Sequence, residues 1–458
     1  MSNYPAGHNK LYGVAEERAH LRHLLTDLGE RNLYDSVSQC NRCGYCATVC
    51  PTCMLTGRET ISGRGRNQIV RMLIEGKLKK SSECLESLDT CLLCGACTSA
   101  CYAKVPTADI VLEARRSFRG RPPFWATAAI KIFLHHPDIF DAGLKLGNII
   151  KKTGLARLAG MLGFFNLIGM PELGAAEKEV DRTPLRFLSD ILREEEKTVS
   201  GDLKWLYFAP CGPNYLYPEN GLATISLLRK TLGEGKALHN ACCGLLAYNY
   251  GQLEEARQFA MKNIRIFESL MGHAEPVVVG DCSSCVAFMK SYEQLFTDDP
   301  AWRKRAERFA SHVKDVLEVI PQENIKKPPP YEVEKFAKSL GINTADPVIT
   351  YHDSCRACHG QGIRKEPRAV LSGLFGKSFV ELPESDWCCG GAGAFAFAQP
   401  ELSGRILKRK ISNIAGTGAH VVVVGATSCL IQIGNGLKKL YPKAKVVHYS
   451  ALVDSFVK

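Results

Sequence analysis

Eight of the chain's twenty cysteines stand in two copies of one spacing, Cys40-x2-Cys43-x2-Cys46-x3-Cys50 and Cys91-x2-Cys94-x2-Cys97-x3-Cys101, and nothing else in the sequence restricts its fold as tightly. With 458 residues the chain has room for about three domains, and a chain of that length buries enough surface to fold without covalent staples. Its 45% hydrophobic and 23% charged content is that of an ordinary globular protein, so the thiols answer to chemistry and not to stability. A secreted disulfide framework fits poorly with the polar start, MSNYPAGHNKLYGVAEERAH, which lacks the apolar stretch of a signal peptide. A reducing, cytoplasmic setting is expected. No uncharged apolar run reaches the roughly 18 residues that span a bilayer. The nearest, residues 155–170, is interrupted by Arg157. The net charge of +11 is spread along the chain, which suits acidic partner proteins or anionic lipid, and no basic stripe interleaved with aromatics calls for nucleic acid.

The doubled spacing is the run of bacterial two-cluster ferredoxins, in which three closely spaced thiolates hold one cubane and the fourth reaches across to the other. It assigns Cys40, Cys43, Cys46 and Cys101 to one [4Fe-4S] cluster, and Cys91, Cys94, Cys97 and Cys50 to the second. A pair of four-thiolate zinc sites is the alternative, but such sites use two separated C-x2-C pairs. Tyr102 stands where the second run would have its proline, and Cys53 and Cys84 fall outside the pattern as packing thiols.

The cysteines divide the chain. Ten fall between 40 and 101, none between 102 and 210, and ten between 211 and 429. Residues 11–35 read as a helix with Leu21, Leu24, Leu25 and Leu28 on one stripe. After the RGRPP at 119–123, short amphipathic helices form a bridge whose stripe, Leu155, Leu158, Leu162 and Phe165, is expected to pack on neighbouring domains. The second half repeats itself. WLYFAPC (205–211) and VITYHDSC (348–355) are short apolar strands ending in a cysteine. Cys242-Cys243-Gly244 and Cys388-Cys389-Gly390 follow at offsets of 31 and 33 residues. Then come buried-strand runs at 277–280 and 421–425, which deliver Cys282 and Cys285 in one copy and Cys429 in the other. Ends of α/β strands are where sites form. The KKPPP at 326–330 is a stiff linker between the copies. The fold class is therefore α+β, and five segments are expected: an N-terminal helical arm (1–36), a two-cluster ferredoxin-like domain (37–118), a helical bridge (119–202), and two duplicated α/β cysteine-rich domains (203–330 and 331–458).

The ferredoxin block followed by Ser62-Gly63-Arg64-Gly65-Arg66, together with Tyr351-His352-Asp353-Ser354-Cys355, Leu382-Pro383-Glu384 and Cys429-Leu430-Ile431-Gln432-Ile433, resembles the iron-sulfur subunit of glycolate oxidase and its D-lactate dehydrogenase relatives over about residues 36–455. The repeats also resemble the Cys-Cys-Gly (CCG) domains of heterodisulfide reductase, in which five cysteines hold a non-cubane [4Fe-4S] cluster. That resemblance implies a complete ligand set in the first repeat, Cys211, Cys242, Cys243, Cys282 and Cys285. The second repeat offers Cys355, Cys388, Cys389 and Cys429, and the C-x2-C partner of Cys429 is Ala426 or Gln432, depending on the alignment. A further cluster or a zinc ion both suit four thiolates, with Cys358 or His352 available to complete the shell, and an empty thiol site is the third option.

No P-loop or zinc-protease motif is present, and the GAGAFA at 391–396 lacks the context of a dinucleotide site and reads as a turn. The chain thus offers no flavin site of its own and no assignable catalytic residue. Clusters carry single electrons whereas oxidation of a 2-hydroxy acid removes two, so a flavoprotein partner is expected to split the pair. The resemblance implies an oxidoreductase component, the electron-transfer subunit of a flavin-linked glycolate or D-lactate dehydrogenase, passing electrons to quinone or another carrier, cytoplasmic or peripheral on the inner face of the membrane. The alternatives are a heterodisulfide-reductase-like catalytic subunit and an iron-sulfur subunit of a membrane redox complex.

Overall fold

The computed structural model describes residues 23–26, 29–119, 124–162, 165, 174, 177–194, 203–272, 275–393 and 395–458. It divides into two compact units, residues 1–122 and 123–458.

In the first unit, β1 (His23–Thr26) and β2 (Gly29–Asn32) pair antiparallel, His23 opposite Asn32. This corrects the expectation of a helix over 11–35, of which residues 11–22 lie outside the described residues. A leucine stripe does not make a helix where Gly29 interrupts it. The helix begins only at Leu33–Ser38, where the Asn32 side chain caps it by accepting from the Asp35 amide at 2.9 Å. Leu33 and Val37 then join Val70, Leu88, Ile110 and Val111 in one buried cluster that clamps the helices Gly63–Ile74 and Thr107–Arg119 together. Cys91 belongs to that cluster, and Cys40 and Cys101 pack against it.

The second unit carries two parallel sheets. β3 (Trp205–Phe208), β4 (Gly235–Ala237), β5 (Val277–Gly280) and β6 (Val313–Asp315) lie in the order β4-β3-β5-β6. β7 (Ile349–His352), β8 (Val421–Val424) and β9 (Lys445–His448) lie in the order β7-β8-β9. An isolated parallel bridge, Ile349 to Phe379, sits where the second sheet would have its counterpart of β4. The unbroken apolar runs WLYF and VVVV suit central parallel strands, and every residue of β3, β7 and β8 is buried. The repeats share one core, with Trp205, Tyr207 and Val279 from one sheet and Tyr351, Val421 and Val423 from the other.

The bridge contributes the helices Phe124–His135, Pro137–Lys152 and Leu155–Met161. The first two lean on the first repeat, with the Phe133 ring 5.7 Å from that of Phe259 and the Tyr215 hydroxyl donating to Asp141 at 2.8 Å. Of the stripe expected to pack on neighbouring domains, Phe165 is half-buried and the three leucines are not covered. Leu155, Leu158 and Leu162 are 58%, 52% and 77% exposed. Burial is supplied upstream by Ala126, Ile130 and Leu134, which leaves the seven-residue helix Leu155–Met161 without a buried residue. No helix among the described residues is long and apolar enough to cross a membrane.

Candidate functional site

The two ferredoxin-type runs adopt the same backbone. In each, the residue before the second cysteine is left-handed, Arg42 at φ 56° and Leu93 at φ 53°, and so is the glycine after it, Gly44 at φ 94° and Gly95 at φ 81°. Two non-glycine residues held in that region carry a cost of order 1 kcal/mol or more each, which a chain keeps where the turn has a task. Here the turn curls the peptide around the thiols, and the amide of Leu93 lies 3.5 Å from Cys91 Sγ. The one-turn helices Tyr45–Thr48 and Ala96–Ser99 follow, carrying Cys46 and Cys97.

Cys50, Cys91, Cys94 and Cys97 line one cavity. Cys46 lies in the electrostatic reach of Cys40, Cys50 and Cys43, and the Tyr45 and Tyr102 rings meet edge-on at 5.7 Å, tying the start of Cys46's helix to the residue after Cys101. Burial pushes the Cys97 thiol up to about 12, with Cys91 and Cys50 adding to the effect. Thiols so crowded ionise together only around a cation, so the donor set fits an iron-sulfur core.

The Ser62–Arg66 segment binds this arrangement. Ser62 caps the helix Gly63–Ile74, its hydroxyl accepting from the Gly65 amide at 3.0 Å. Gly63 sits between the runs, where a β-carbon would come within 3.0 Å of the β-carbons of both Cys46 and Cys97. The Arg64 amide donates to Cys46 Sγ at 3.2 Å, and its guanidinium donates to the carbonyl of the left-handed Arg42 at 3.1 Å. Arg66 is 2% exposed, and donates to the Ser87 carbonyl at 2.8 Å, to Thr52 Oγ1 at 3.0 Å, and towards Cys50 Sγ at 3.7 Å. Desolvation opposes its charge, but the Cys91 and Cys50 thiols overcome that and hold it protonated. A buried cation beside Cys50 is a functional feature that the motif alone does not announce.

In the first repeat all five thiols meet. Cys211 contacts Cys242 and Cys285; Cys243 contacts Cys242 and Cys285; Cys282 contacts Cys285. Cys211 begins a helix after β3, and Cys282 immediately precedes the helix Ser283–Met289 after β5. Cys243, Cys282 and Cys285 are buried, whereas Cys211 stands at the exposed rim. Hydrogen bonds from Cys242 and Cys285 draw the Cys243 thiol down to about 6, while sharing with its neighbours drives Cys285 well up. One chain segment thus favours a thiolate in the centre of the group. The glycine of Cys-Cys-Gly is left-handed in both repeats, Gly244 at φ 85° and Gly390 at φ 87°, which folds its amide back to 3.5 Å from Cys242 Sγ and 3.4 Å from Cys388 Sγ. Tyr292 and Asn263 fix the pair from outside, donating to the Cys243 and Cys242 carbonyls at 2.7 and 2.9 Å.

In the second repeat Cys355 contacts Cys388, Cys388 contacts Cys389, and Cys389 lies 3.5 Å from Cys429. Strand register settles the alignment of Cys429. Phe208 pairs with Gly280 and His352 with Val424, so Cys282 corresponds to Ala426 and Cys285 to Cys429. Lys410 is fully buried, its ammonium held by the Glu384 and Ser385 carbonyls and facing Cys389 and Cys388. It is the eleventh residue of the helix Pro400–Gly416, as Asn263 is of Leu253–Ser269, and only the repeat alignment reveals the exchange. Cys84 is buried in the helix Ser82–Asp89, its thiol 3.5 Å from the Ser81 hydroxyl, and Cys358 lies near the Cys355 carbonyl at 3.8 Å.

Known proteins share this organisation. A 4Fe-4S dicluster domain family matches residues 36–105, and a cysteine-rich domain family, CCG, matches residues 205–290 and 349–434. A probable glycolate oxidase iron-sulfur subunit of Bacillus subtilis (strain 168) is 27% identical over 454 residues, covering 94% of this chain and 97% of that protein. The glycolate oxidase iron-sulfur subunit of Escherichia coli (strain K12) is 23% identical over 421 residues, 91% of this chain and 93% of that one. Lactate utilization protein A of Exiguobacterium sp. (strain ATCC BAA-1283 / AT1b) is 34% identical over 253 residues, 55% of this chain and 97% of that one. With one dicluster domain, two cysteine-rich repeats and these relatives, the chain belongs to the family of glycolate oxidase iron-sulfur subunits and lactate utilization protein A.

Proposed function

We propose that this chain is the electron-transfer subunit of a flavin-linked 2-hydroxy-acid dehydrogenase, of glycolate or D-lactate type, taking electrons from a separate flavoprotein and delivering them to quinone or another carrier. The observation that carries the reading is the meeting of Cys211, Cys242, Cys243, Cys282 and Cys285 in one group, in a chain that also has the doubled four-cysteine run. Bound iron-sulfur clusters supply one-electron redox chemistry at those thiols. The chain's own part is to hold each thiolate in place and to set the field around it. In the proposed ligand sets, Cys40, Cys43, Cys46 and Cys101 serve one [4Fe-4S] cluster, Cys91, Cys94, Cys97 and Cys50 a second, and the five thiols of the first repeat a third, non-cubane one. Twenty free thiols favour a reducing compartment, so a cytoplasmic chain, peripheral at the inner face of the membrane where quinone is reached, is the proposed location.

Anaerobically purified protein should therefore contain iron above the roughly eight atoms per chain that two cubanes account for. Iron at or below that number sinks the third cluster. The same preparation should carry no flavin absorbance and should not oxidise glycolate or D-lactate, and stoichiometric flavin retained by this chain alone would overturn the separate-partner reading. Gly63→Val is a further test, since its side chain would intrude on the β-carbons of Cys46 and Cys97 together. Metal analysis should show iron lost from both cubanes; loss from one, or none, would contradict the shared position of Gly63.

A further inference from the structure

The second repeat lacks one thiol that the first possesses, and it has gained an imidazole at the same end of the same pair of strands. Ala426 stands at the position of Cys282, two residues beyond the end of β8. His352, the last residue of β7, stands at the position of Phe208, the last residue of β3. Nothing in a sheet core asks for histidine where its twin has phenylalanine. His352 is fully buried, and neither Nδ1 nor Nε2 makes a hydrogen bond of good geometry, the Ser385 backbone approaching the ring without satisfying it. Buried imidazole nitrogens are nearly always paired, so two orphans on one ring point to a missing partner. A ligand atom of His352 and the sulfurs of Cys389 and Cys429 all lie within 4.8 Å of one another, and the two sulfurs are 3.5 Å apart.

We propose that the second repeat holds a single divalent metal ion of the zinc class, ligated by His352, Cys389 and Cys429, with one thiolate of the Cys355–Cys388 pair closing a four-coordinate shell. The inference deepens the reading of this chain as an iron-sulfur protein and rests on it only for the contrast between the repeats. One nitrogen and two sulfurs, all buried, already lie within 4.8 Å of one another, and with a third thiolate from the adjacent pair they are the donors of a structural zinc site. A tetrahedral ion with Zn–S distances of about 2.3 Å holds two of its sulfurs about 3.8 Å apart, and this pair stands close to that at 3.5 Å. Zinc with three thiolates is a monoanion, and the Lys410 ammonium beside Cys388 and Cys389 balances it inside the core. In the first repeat the equivalent helix position holds the neutral Asn263. The exchange of Cys282 for Ala426 is thus matched by two others, Phe208 for His352 and Asn263 for Lys410.

The test uses the full chain, produced anaerobically with iron and zinc both supplied, and measures zinc and iron per chain together with the spectra of the iron-sulfur clusters. Wild type should carry about one zinc, as a closed site binds one ion. His352→Phe, which restores the side chain of the first repeat, should lower bound zinc at least tenfold with iron unchanged, and His352→Cys should retain it. Cobalt(II) alone, added to zinc-stripped protein, should give tetrahedral thiolate-cobalt bands that shift on His352→Cys and vanish in His352→Phe. Zinc retained in His352→Phe, or additional iron in place of zinc in wild type, overturns the proposal. Should His352→Phe lose zinc and iron together through misfolding, His352→Cys decides: zinc kept supports histidine's place as a ligand, zinc lost refutes it. Iron content and electron transfer in wild type report separately on the proposed function.

Discussion

Cys243→Ala will abolish electron transfer from the flavoprotein partner to quinone while leaving reduction of the partner's flavin by its hydroxy acid at the wild-type rate. The mutated thiol lies at the centre of the first repeat's group, in contact with Cys242 and Cys285 and drawn towards the thiolate by both. Its removal takes one of five proposed ligands and leaves the Cys242 and Cys285 thiols without the neighbour they share a proton with. The expected loss in quinone reduction is at least a hundredfold, since removing even a supporting partner of a metal ligand costs about 10–100-fold. Iron should fall by the content of one cluster and no more. The measurement is steady-state quinone reduction beside stopped-flow flavin reduction. A variant that slowed both equally would place this chain in substrate oxidation, and robust disulfide reduction by the wild-type chain without any flavoprotein would favour the heterodisulfide-reductase-like alternative instead.

Arg66→Met will lower the reduction potential of the cluster proposed at Cys50, Cys91, Cys94 and Cys97. A buried cation favours whichever oxidation state carries the greater negative charge, and Arg66 donates towards Cys50 Sγ at 3.7 Å. At about 6 Å from the added electron and an effective dielectric of about 20, one unit charge is worth about 3 kcal/mol, or on the order of 100 mV. The same substitution removes the guanidinium's hydrogen bonds to the Ser87 carbonyl, Thr52 and Thr90, so a loss of about 1–3 kcal/mol in stability accompanies it. Arg66→Lys should restore most of the potential, because the charge remains, and less of the stability, because one ammonium does not reproduce the guanidinium's fork. Redox titration followed by electron paramagnetic resonance separates the two effects. An unshifted potential in Arg66→Met would show that Arg66 acts through packing alone.

The cysteine positions carried most of the fold legibly. Two turns of identical dihedral pattern follow from two identical spacings, and duplicated Cys-Cys-Gly motifs follow from a glycine that must be left-handed to bring its amide back over sulfur. The parallel strands were legible for a different reason, since WLYF and VVVV are too apolar for anything but a buried position. What the sequence hid depends on contacts between distant segments. The leucine stripe before Leu33 has helical period, yet His23–Thr26 and Gly29–Asn32 pair as antiparallel strands, because a periodic stripe does not by itself exclude pairing with a neighbouring segment. The stripe at Leu155 has the same period and its leucines stay exposed, because amphipathicity does not name the surface that will cover it. Arg66 and Lys410 look like ordinary surface cations in a sequence, and only the fold shows each buried beside thiols. The alignment of Cys429 was ambiguous until strand pairing set Ala426 opposite the place of Cys282.

The central claim is that this chain conducts electrons and does not itself oxidise the hydroxy acid. Anaerobic mixing tests it directly: the oxidised, cluster-loaded chain is given D-lactate or glycolate alone, then the same with a flavin-containing 2-hydroxy-acid dehydrogenase from the same genome. The account predicts that the clusters' visible absorbance stays unchanged with either acid alone and bleaches only once the flavoprotein is present. Bleaching by a hydroxy acid without the flavoprotein, or clusters that stay oxidised beside a fully reduced flavoprotein, would contradict it.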